Sequence, residues 1–269
     1  MELAERPIGV FDSGVGGLSI LREIHAELPN EDVLYVADQL WAPYGSRGLD
    51  EVRRRSVAVA AELIGRGAKL IVVACNSASA AALHHLRDVF QDTPFVGMEP
   101  ALKPAASHTD KGVIGVLATE TTFQGELYAS VLGRHTDGVA VIEVAGTRLA
   151  TLVEECRLDE AKADLEDLLG PMLDAGIDTL VLGCTHYPFL ADQIREVTGP
   201  DVRLVDPAPA VARQVKNVLG HRQILNGSGG DTSYFTSAEP GRFEERAFEL
   251  LGYPVNATRV EIEDQGTTH

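Results

Sequence analysis

The sequence predicts an α/β protein of two similar domains, each a mostly parallel sheet flanked by helices, related by internal pseudo-symmetry, with the active site in the cleft between them. Three observations carry this. Strand-like apolar runs alternate with helical patterns from end to end, as in parallel sheets covered on both faces. Three of those runs recur in the same order roughly 100 residues later, too long a period for a solenoid but fitting for a duplicated domain. The third pair of runs ends both times in a cysteine: Gly67-Ala-Lys-Leu-Ile-Val-Val-Ala-Cys75-Asn76 matches Gly176-Ile-Asp-Thr-Leu-Val-Leu-Gly-Cys184-Thr185, with the spacing held from glycine to cysteine. A buried strand ending in a thiol has been built twice. If the halves face each other, two thiols meet across one pocket, which is what stereochemical inversion at a substrate carbon requires.

The elements follow in order. Residues 8–12 read as a strand and 17–28 as an amphipathic helix; Val33 to Ala37 is a strand. After a loop through Trp41, Pro43, Tyr44 and Gly45, a helix runs from about Leu49 to Gly65. Leu70 to Ala74 is a strand, a helix starts near Ser77, and Phe95 to Met98 is a short strand. The second unit repeats this from Val113, with Ile114-Gly-Val-Leu-Ala118-Thr119 against Ile8-Gly-Val-Phe-Asp12-Ser13. Right-handed crossovers place the carboxyl ends of such strands along one edge, where ligands of open α/β sheets bind. Asp12, Asp38, Cys75, Thr119 and Cys184 are expected there. Glu99 to Pro104 and Asp206 to Pro209 are expected to cross between units. The segment after residue 207 reads as a helix (about 210–219), a strand (Ser233 to Thr236) and a helix (about 240–251). It lacks a counterpart in the repeat and is expected to return to the first domain. The domains are then 1–98 plus 207–269, and 99–206.

Composition narrows the function. A hydrophobic content of 45% over 269 residues suffices for two modest cores. The N-terminus has no apolar h-region, and the longest apolar stretches, such as Leu70 to Cys75, fall far short of the ~20 residues that span a bilayer. A cytoplasmic protein without membrane contact is expected. The net charge of −17 leaves no basic surface of the kind nucleic acid needs. The only basic run, Arg53-Arg54-Arg55, reads as a solvated helix face. Three cysteines without a secretion signal argue against a disulfide framework. Cys184-Thr185-His186 has no second ligand pair, so no metal is expected. Cys156, in or near a helix, reads as a small packing residue.

Two motifs carry chemistry. Phe11-Asp12-Ser13-Gly14-Val15-Gly16-Gly17 joins a strand to a helix, and its glycines leave backbone N–H groups uncovered for an anion. Ser19 stands where the dinucleotide fingerprint needs a glycine, and no lysine follows as in a P-loop; a small carboxylate is the expected ligand. The second motif is the repeated cysteine. Cys75 sits at a strand end just before a helix, whose dipole favours a thiolate; Ser77 is placed to cap that helix, and Asn76 and Ser77 offer neutral hydrogen bonds. In the second unit His186, two residues after Cys184, can supply or hold a proton.

These stretches, with Pro43-Tyr44-Gly45, Ala74-Cys-Asn-Ser-Ala-Ser-Ala80 and Leu182-Gly-Cys-Thr-His-Tyr-Pro188, resemble the cofactor-independent aspartate/glutamate racemase family, on its glutamate-specific side. Weaker agreement at Gly97 to Pro104 and Tyr234 to Ser237 extends the resemblance over nearly the whole chain. It implies interconversion of L- and D-glutamate without a cofactor, supplying D-glutamate for peptidoglycan. It implies that Cys75 is the base for the D-enantiomer and Cys184 for the L-enantiomer, with Asp12 and His186 as their helpers. Glu154 matches a further acidic residue, with Glu155 next door as the other possible register. Substrate contacts fall on Asp12, Ser13, Tyr44, Gly45, Asn76, Ser77, Thr185 and His186, with Thr119 and Thr122 added. Many members have Thr where Ser77 stands; the hydroxyl survives and a methyl is lost. A small-molecule substrate is the expected partner, and a homodimer stays open. Three other readings remain: racemisation of aspartate or a related acid, a Cys–His hydrolase with one nucleophilic thiol, and a non-catalytic dicarboxylate-binding module.

Overall fold

Strands whose residues are apolar on both faces need cover on both sides, and this chain supplies it twice. The computed structural model describes residues 2–263. The first half runs β1 (Ile8–Asp12), α1 (Leu18–Glu27), β2 (Val33–Ala37), α2 (Leu49–Gly65), β3 (Leu70–Val73), α3 (Asn76–Val89) and β4 (Phe95–Gly97). After α4 (Leu102–His108), the second half runs β5 (Val113–Ala118), α5 (Glu120–Gln124), α6 (Glu126–His135), β6 (Ala140–Ala145), α7 (Thr147–Glu154), α8 (Ala161–Asp174), β7 (Thr179–Gly183), α9 (Ala191–Thr198) and β8 (Arg203–Val205). The chain ends in α10 (Ala208–Arg222), β9 (Thr232–Thr236), α11 (Pro240–Leu251) and β10 (Ala257–Arg259).

The strands form two parallel sheets. The second has the order β6-β5-β7-β8, and the first contains the equivalent order β2-β1-β3-β4. The internal repeat is therefore a repeat of topology, with β3 and β7 in the same place. The first sheet is extended at β2 by β9 and β10, with Val33–Ala37 paired to Thr232–Thr236. Packing repeats too. A Cβ on Gly9 of β1 would lie 3.2 Å from Leu63 Cβ of α2, and one on Gly115 of β5 would lie 2.9 Å from Met172 Sδ of α8. At both places glycine lets a neighbouring layer close onto the central strand.

Three apolar clusters fill the layers. One covers the face of the first sheet toward α1, α10 and α11; another covers the second sheet beneath α7, α8 and α9. The third joins the halves: Phe11, Val36 and Val73 of the first sheet share it with Ile114, Val116 and Val181 of the second, with α3 and α6 between. Among the described residues no helix is long and apolar enough to cross a membrane.

One sequence expectation is corrected. The run Arg53-Arg54-Arg55 is not uniformly a solvated face. Arg54 is exposed, but Arg55 is buried and forks onto both oxygens of the buried Asp38 at 2.6 and 2.7 Å, donating as well to Ile262 O. The helix period turns the third arginine inward, where a carboxylate at the end of β2 meets it. Cys156, expected in or near a helix, lies just past the end of α7. It follows α7 in the left-handed region (φ 53°), uncommon for a non-glycine residue. It is half-buried beside Glu249 and Arg246, and burial followed by the bond to Glu249 pushes its thiol up to about 12.

Candidate active site

The carboxyl ends of β1, β3, β5 and β7 bring Asp12, Cys75, Thr119 and Cys184 to one place, as right-handed parallel topology requires. Both sulfurs are buried, at 5% exposure for Cys75 and 7% for Cys184. Cys75 is the N-cap position of α3. Ser77 is not the cap. It lies within the first turn, and its hydroxyl turns away to bond Thr119 Oγ1 at 2.9 Å, which in turn bonds Thr122 Oγ1 at 2.9 Å. Thr119 itself caps α5. A chain of three hydroxyls thus spans the two halves beside Cys75. The Asn76 side-chain oxygen is buried without a hydrogen-bond partner in the protein.

Around Cys184 the neighbours are different. His186 Nδ1 lies 3.4 Å from Cys184 Sγ, and its Nε2 lies 2.7 Å from Glu154 Oε1 at the end of α7. Glu154, rather than Glu155, is the acidic residue at this site; Glu155 pairs instead with Arg157. Burial alone would lower the pKa of His186, but the sulfur of Cys184 and the carboxylate of Glu154 overcome it and hold it well above the ordinary value. Cys75 has no such partner. Its Sγ is 4.0 Å from Ser13 Oγ, and burial, then the charge of Asp12, push its pKa far above that of a free thiol; a backbone bond from Ala78 only partly opposes them.

The glycine loop binds carboxylates, but they are the protein's own. Gly14 N–H donates to Asp12 Oδ1 at 2.9 Å and Val15 N–H to Glu154 Oε1 at 2.8 Å. A Cβ on Gly14 would overlap the Glu154 carboxyl, and one on Gly16 would lie 2.5 Å from Thr185 Oγ1 and 2.7 Å from the His186 ring. The glycines therefore admit the second half's catalytic-type side chains, a role the loop's anion-binding pattern did not disclose. Asp12 is fully buried, and burial raises its pKa against the pull of His186 and the Gly14 amide. Its second oxygen accepts from Thr185 Oγ1 at 3.0 Å, and Ser19, the residue that breaks the dinucleotide pattern, donates to Thr185 O. Asp12, Glu154 and His186 bring ligand-type atoms within 4.8 Å of one another. The bonds among His186, Glu154, Val15, Gly14 and Thr185 account for that closeness as a hydrogen-bonded network.

Tyr44 and Gly45 reach the site as a short turn rather than through the phenol. The Tyr44 hydroxyl is committed to Asp38 Oδ2 at 2.6 Å, and burial and that carboxylate push it well above its ordinary pKa. Gly45 abuts Thr119, and Thr121 Oγ1 bonds Tyr44 O and Arg47 O. Of Asp38, Arg55 and Thr121, which fix this turn, Asp38 alone was expected at the ligand-binding edge from sequence, and none was assigned a role at the site. The available signal was Asp38's place at a strand's carboxyl end with an inward-facing arginine one helix later. A cavity of about 550 Å³ lies along the crossing segments and is lined by neither cysteine. A smaller cleft of about 220 Å³ opens onto Glu154.

The profile of the Asp/Glu/Hydantoin racemase family matches residues 8–215. The chain is 51% identical over 243 residues to a glutamate racemase of Roseiflexus sp. (strain RS-1), covering 88% of this chain and 89% of that one. Its fold superposes on a glutamate racemase isoform from Bacillus anthracis with a TM-score of 0.88 at 35% identity, covering 96% and 98% of the two chains. It also superposes on a Francisella tularensis glutamate racemase in complex with D-glutamate, with a TM-score of 0.85 at 26% identity, covering 97% and 99%.

Proposed function

The chain belongs to the Asp/Glu/Hydantoin racemase family, and from that premise we propose that it interconverts L- and D-glutamate by moving the α-proton between two thiols. The observation that carries this reading is the placement of Cys75 and Cys184 at the ends of equivalent strands in two sheets of equivalent order. Glutamate as substrate is supported by the similarity to the Roseiflexus enzyme and by the Francisella enzyme's complex with D-glutamate.

Transfer between two thiols needs one sulfur protonated and the other not. Cys75 is kept as the thiol by burial and by Asp12. The other sulfur, Cys184, faces His186, whose pKa is raised by that sulfur and by the Glu154 carboxylate. L-Glutamate then loses its α-proton to the Cys184 thiolate, and the Cys75 thiol delivers a proton to the opposite face. The D-enantiomer runs the same steps backwards from the opposite protonation state. The buried Asn76 oxygen accepts from the substrate ammonium, a bond worth about 1–3 kcal/mol in relief of an otherwise unpaired buried group. Ser13 and Thr185 provide hydroxyls, and the Ser77–Thr119–Thr122 chain with the Tyr44–Gly45 turn closes the far side. Exclusion of water strengthens these polar contacts as negative charge develops at the substrate. The product suits peptidoglycan synthesis in the cytoplasm. Sheet membership supports a division into residues 1–98 plus 207–269 and residues 99–206.

In D₂O, either enantiomer of glutamate should acquire α-deuterium as optical rotation decays. No exchange by folded protein contradicts the proposal, and faster turnover of aspartate in parallel assays moves the substrate to that acid.

A further inference from the structure

The glycine loop is gripped from its own half as well as from across the pocket. Tyr35, on β2, is fully buried, and its ring packs against Tyr234 and Phe243 at centroid distances of 6.2 and 6.0 Å. Its hydroxyl donates to Gly14 O at 2.8 Å. Gly17 leaves room for this, since a Cβ there would lie 2.8 Å from the phenol oxygen. Burial, then the charges of Asp12 and Glu154, hold the phenol well above its ordinary pKa, so it stays a donor.

The bond matters because of the peptide it grips. Gly14 O belongs to the peptide group whose N–H is that of Val15. A trans peptide is planar, and its C=O and N–H point opposite ways. Fixing the oxygen therefore aims the Val15 N–H, which donates to Glu154 Oε1 at 2.8 Å. The same carboxylate oxygen lies 2.7 Å from His186 Nε2, and His186 Nδ1 lies 3.4 Å from Cys184 Sγ. A charged His186 presents N–H on both sides, so the place of the Glu154 carboxylate sets how the ring meets the sulfur. Hydrogen bonds in such a chain also polarise one another. The Gly14 N–H that holds Asp12 belongs to the preceding peptide group and is not part of this line. A hydroxyl of the first half is thus connected to the thiol of the second, past the neighbours of Cys75.

We infer that Tyr35 is a positioning residue for proton transfer at Cys184, acting through the Gly14–Val15 peptide, Glu154 and His186 without touching the sulfur. This rests on the two-thiol reading above. Tyr35→Phe removes the hydroxyl and keeps the ring. It should lower kcat/KM roughly tenfold, one buried hydrogen bond expressed in the rate, and equally for both enantiomers, whose equilibrium constant is unity. Its handedness shows in primary isotope effects. α-Deuterated L-glutamate gives up its label at Cys184 and α-deuterated D-glutamate at Cys75. When transfer at Cys184 is slowed, that step limits more of the overall rate. The isotope effect on kcat/KM should therefore rise for the L-enantiomer and fall for the D-enantiomer, relative to the unaltered protein. Tyr234→Phe takes from the same aromatic cluster a hydroxyl that faces Tyr253 and Thr232, and it should leave both isotope effects unchanged.

A Tyr35→Phe protein that loses activity with both isotope effects unchanged overturns the inference, because the hydroxyl then serves only the fold. The reverse pattern, with the D-enantiomer's effect rising, overturns it by placing the action at Cys75. Unchanged activity, a Tyr35→Phe chain that does not fold, or the same pattern from Tyr234→Phe also contradicts it. If the unaltered protein racemises neither enantiomer, the two-thiol reading itself has failed.

Discussion

Cys75 and Cys184 end strands that hold the same position in sheets of matching order, yet the side chains around them are unlike. On one side stand Ser13, the fully buried Asp12 and the hydroxyls of Ser77 and Thr119; on the other, an imidazole and a carboxylate lead outward. The shared backbone answers a geometric demand, since inversion needs one proton carrier per face. The unlike neighbours answer a chemical one, since a thiol and a thiolate must coexist in one pocket and two identical environments would not tell them apart. This asymmetry cannot appear in kcat/KM. Enantiomers in water have an equilibrium constant of unity, which forces kcat/KM to be equal in both directions. It must show in kcat and KM separately, in isotope exchange and in the response of single variants.

The comparison breaks most visibly at the sulfurs. Cys75→Ser and Cys184→Ser should each lower racemisation by roughly a thousandfold or more, within the range of positioned acid–base groups; the loss of activity in a polarimetric assay checks this. If either variant keeps near-normal racemisation, the one-thiol-per-face assignment is wrong. The next largest effect concerns a support on the Cys75 side. Asp38→Asn removes the buried carboxylate that accepts from Arg55 Nε and Nη2 and from the Tyr44 hydroxyl, and should cost about 3–5 kcal/mol in chemical denaturation. A loss under about 1 kcal/mol, of the size expected for a surface pair, would show that the turn carrying Tyr44 does not depend on it.

The smallest effect sharpens the Cys184 side. The folded protein holds the His186 pKa above its unfolded value of 6.5. Its charged form therefore contributes stability that is complete below about pH 6.5 and is lost as pH rises through the raised value. The stability gap between the unaltered protein and His186→Asn should be widest at mildly acidic pH and narrow as the pH increases. A gap that widens with pH would mean that His186 is neutral in the fold.

Much of this was legible in the sequence because the fold repeats itself. Apolar runs of β-branched residues, glycines opening each unit and a cysteine closing the third strand located the sheets, their shared edge and both sulfurs. His186 was visible because it stands two residues from one of them. What was hidden depends on encounters between distant segments. Glycines that make room look the same in sequence as glycines that expose N–H groups, so Gly14 and Gly16 read as an anion loop until Glu154, Thr185 and His186 were seen to fill the space. Arg55 looked like part of a solvated run because the helix period alone does not reveal the carboxylate of Asp38 waiting just past β2. Whether Glu154 or Glu155 faces the site depends on the last turn of α7, where a shift of one residue rotates a side chain by about 100° at 3.6 residues per turn.

The central claim, one thiol for each face, is tested most directly by deuterium loss in the single-thiol variants. In H₂O, Cys75→Ser should wash α-deuterium out of L-glutamate without inverting it and leave D-glutamate labelled, and Cys184→Ser should act only on D-glutamate. Release of label from the opposite enantiomer by either variant would contradict the account.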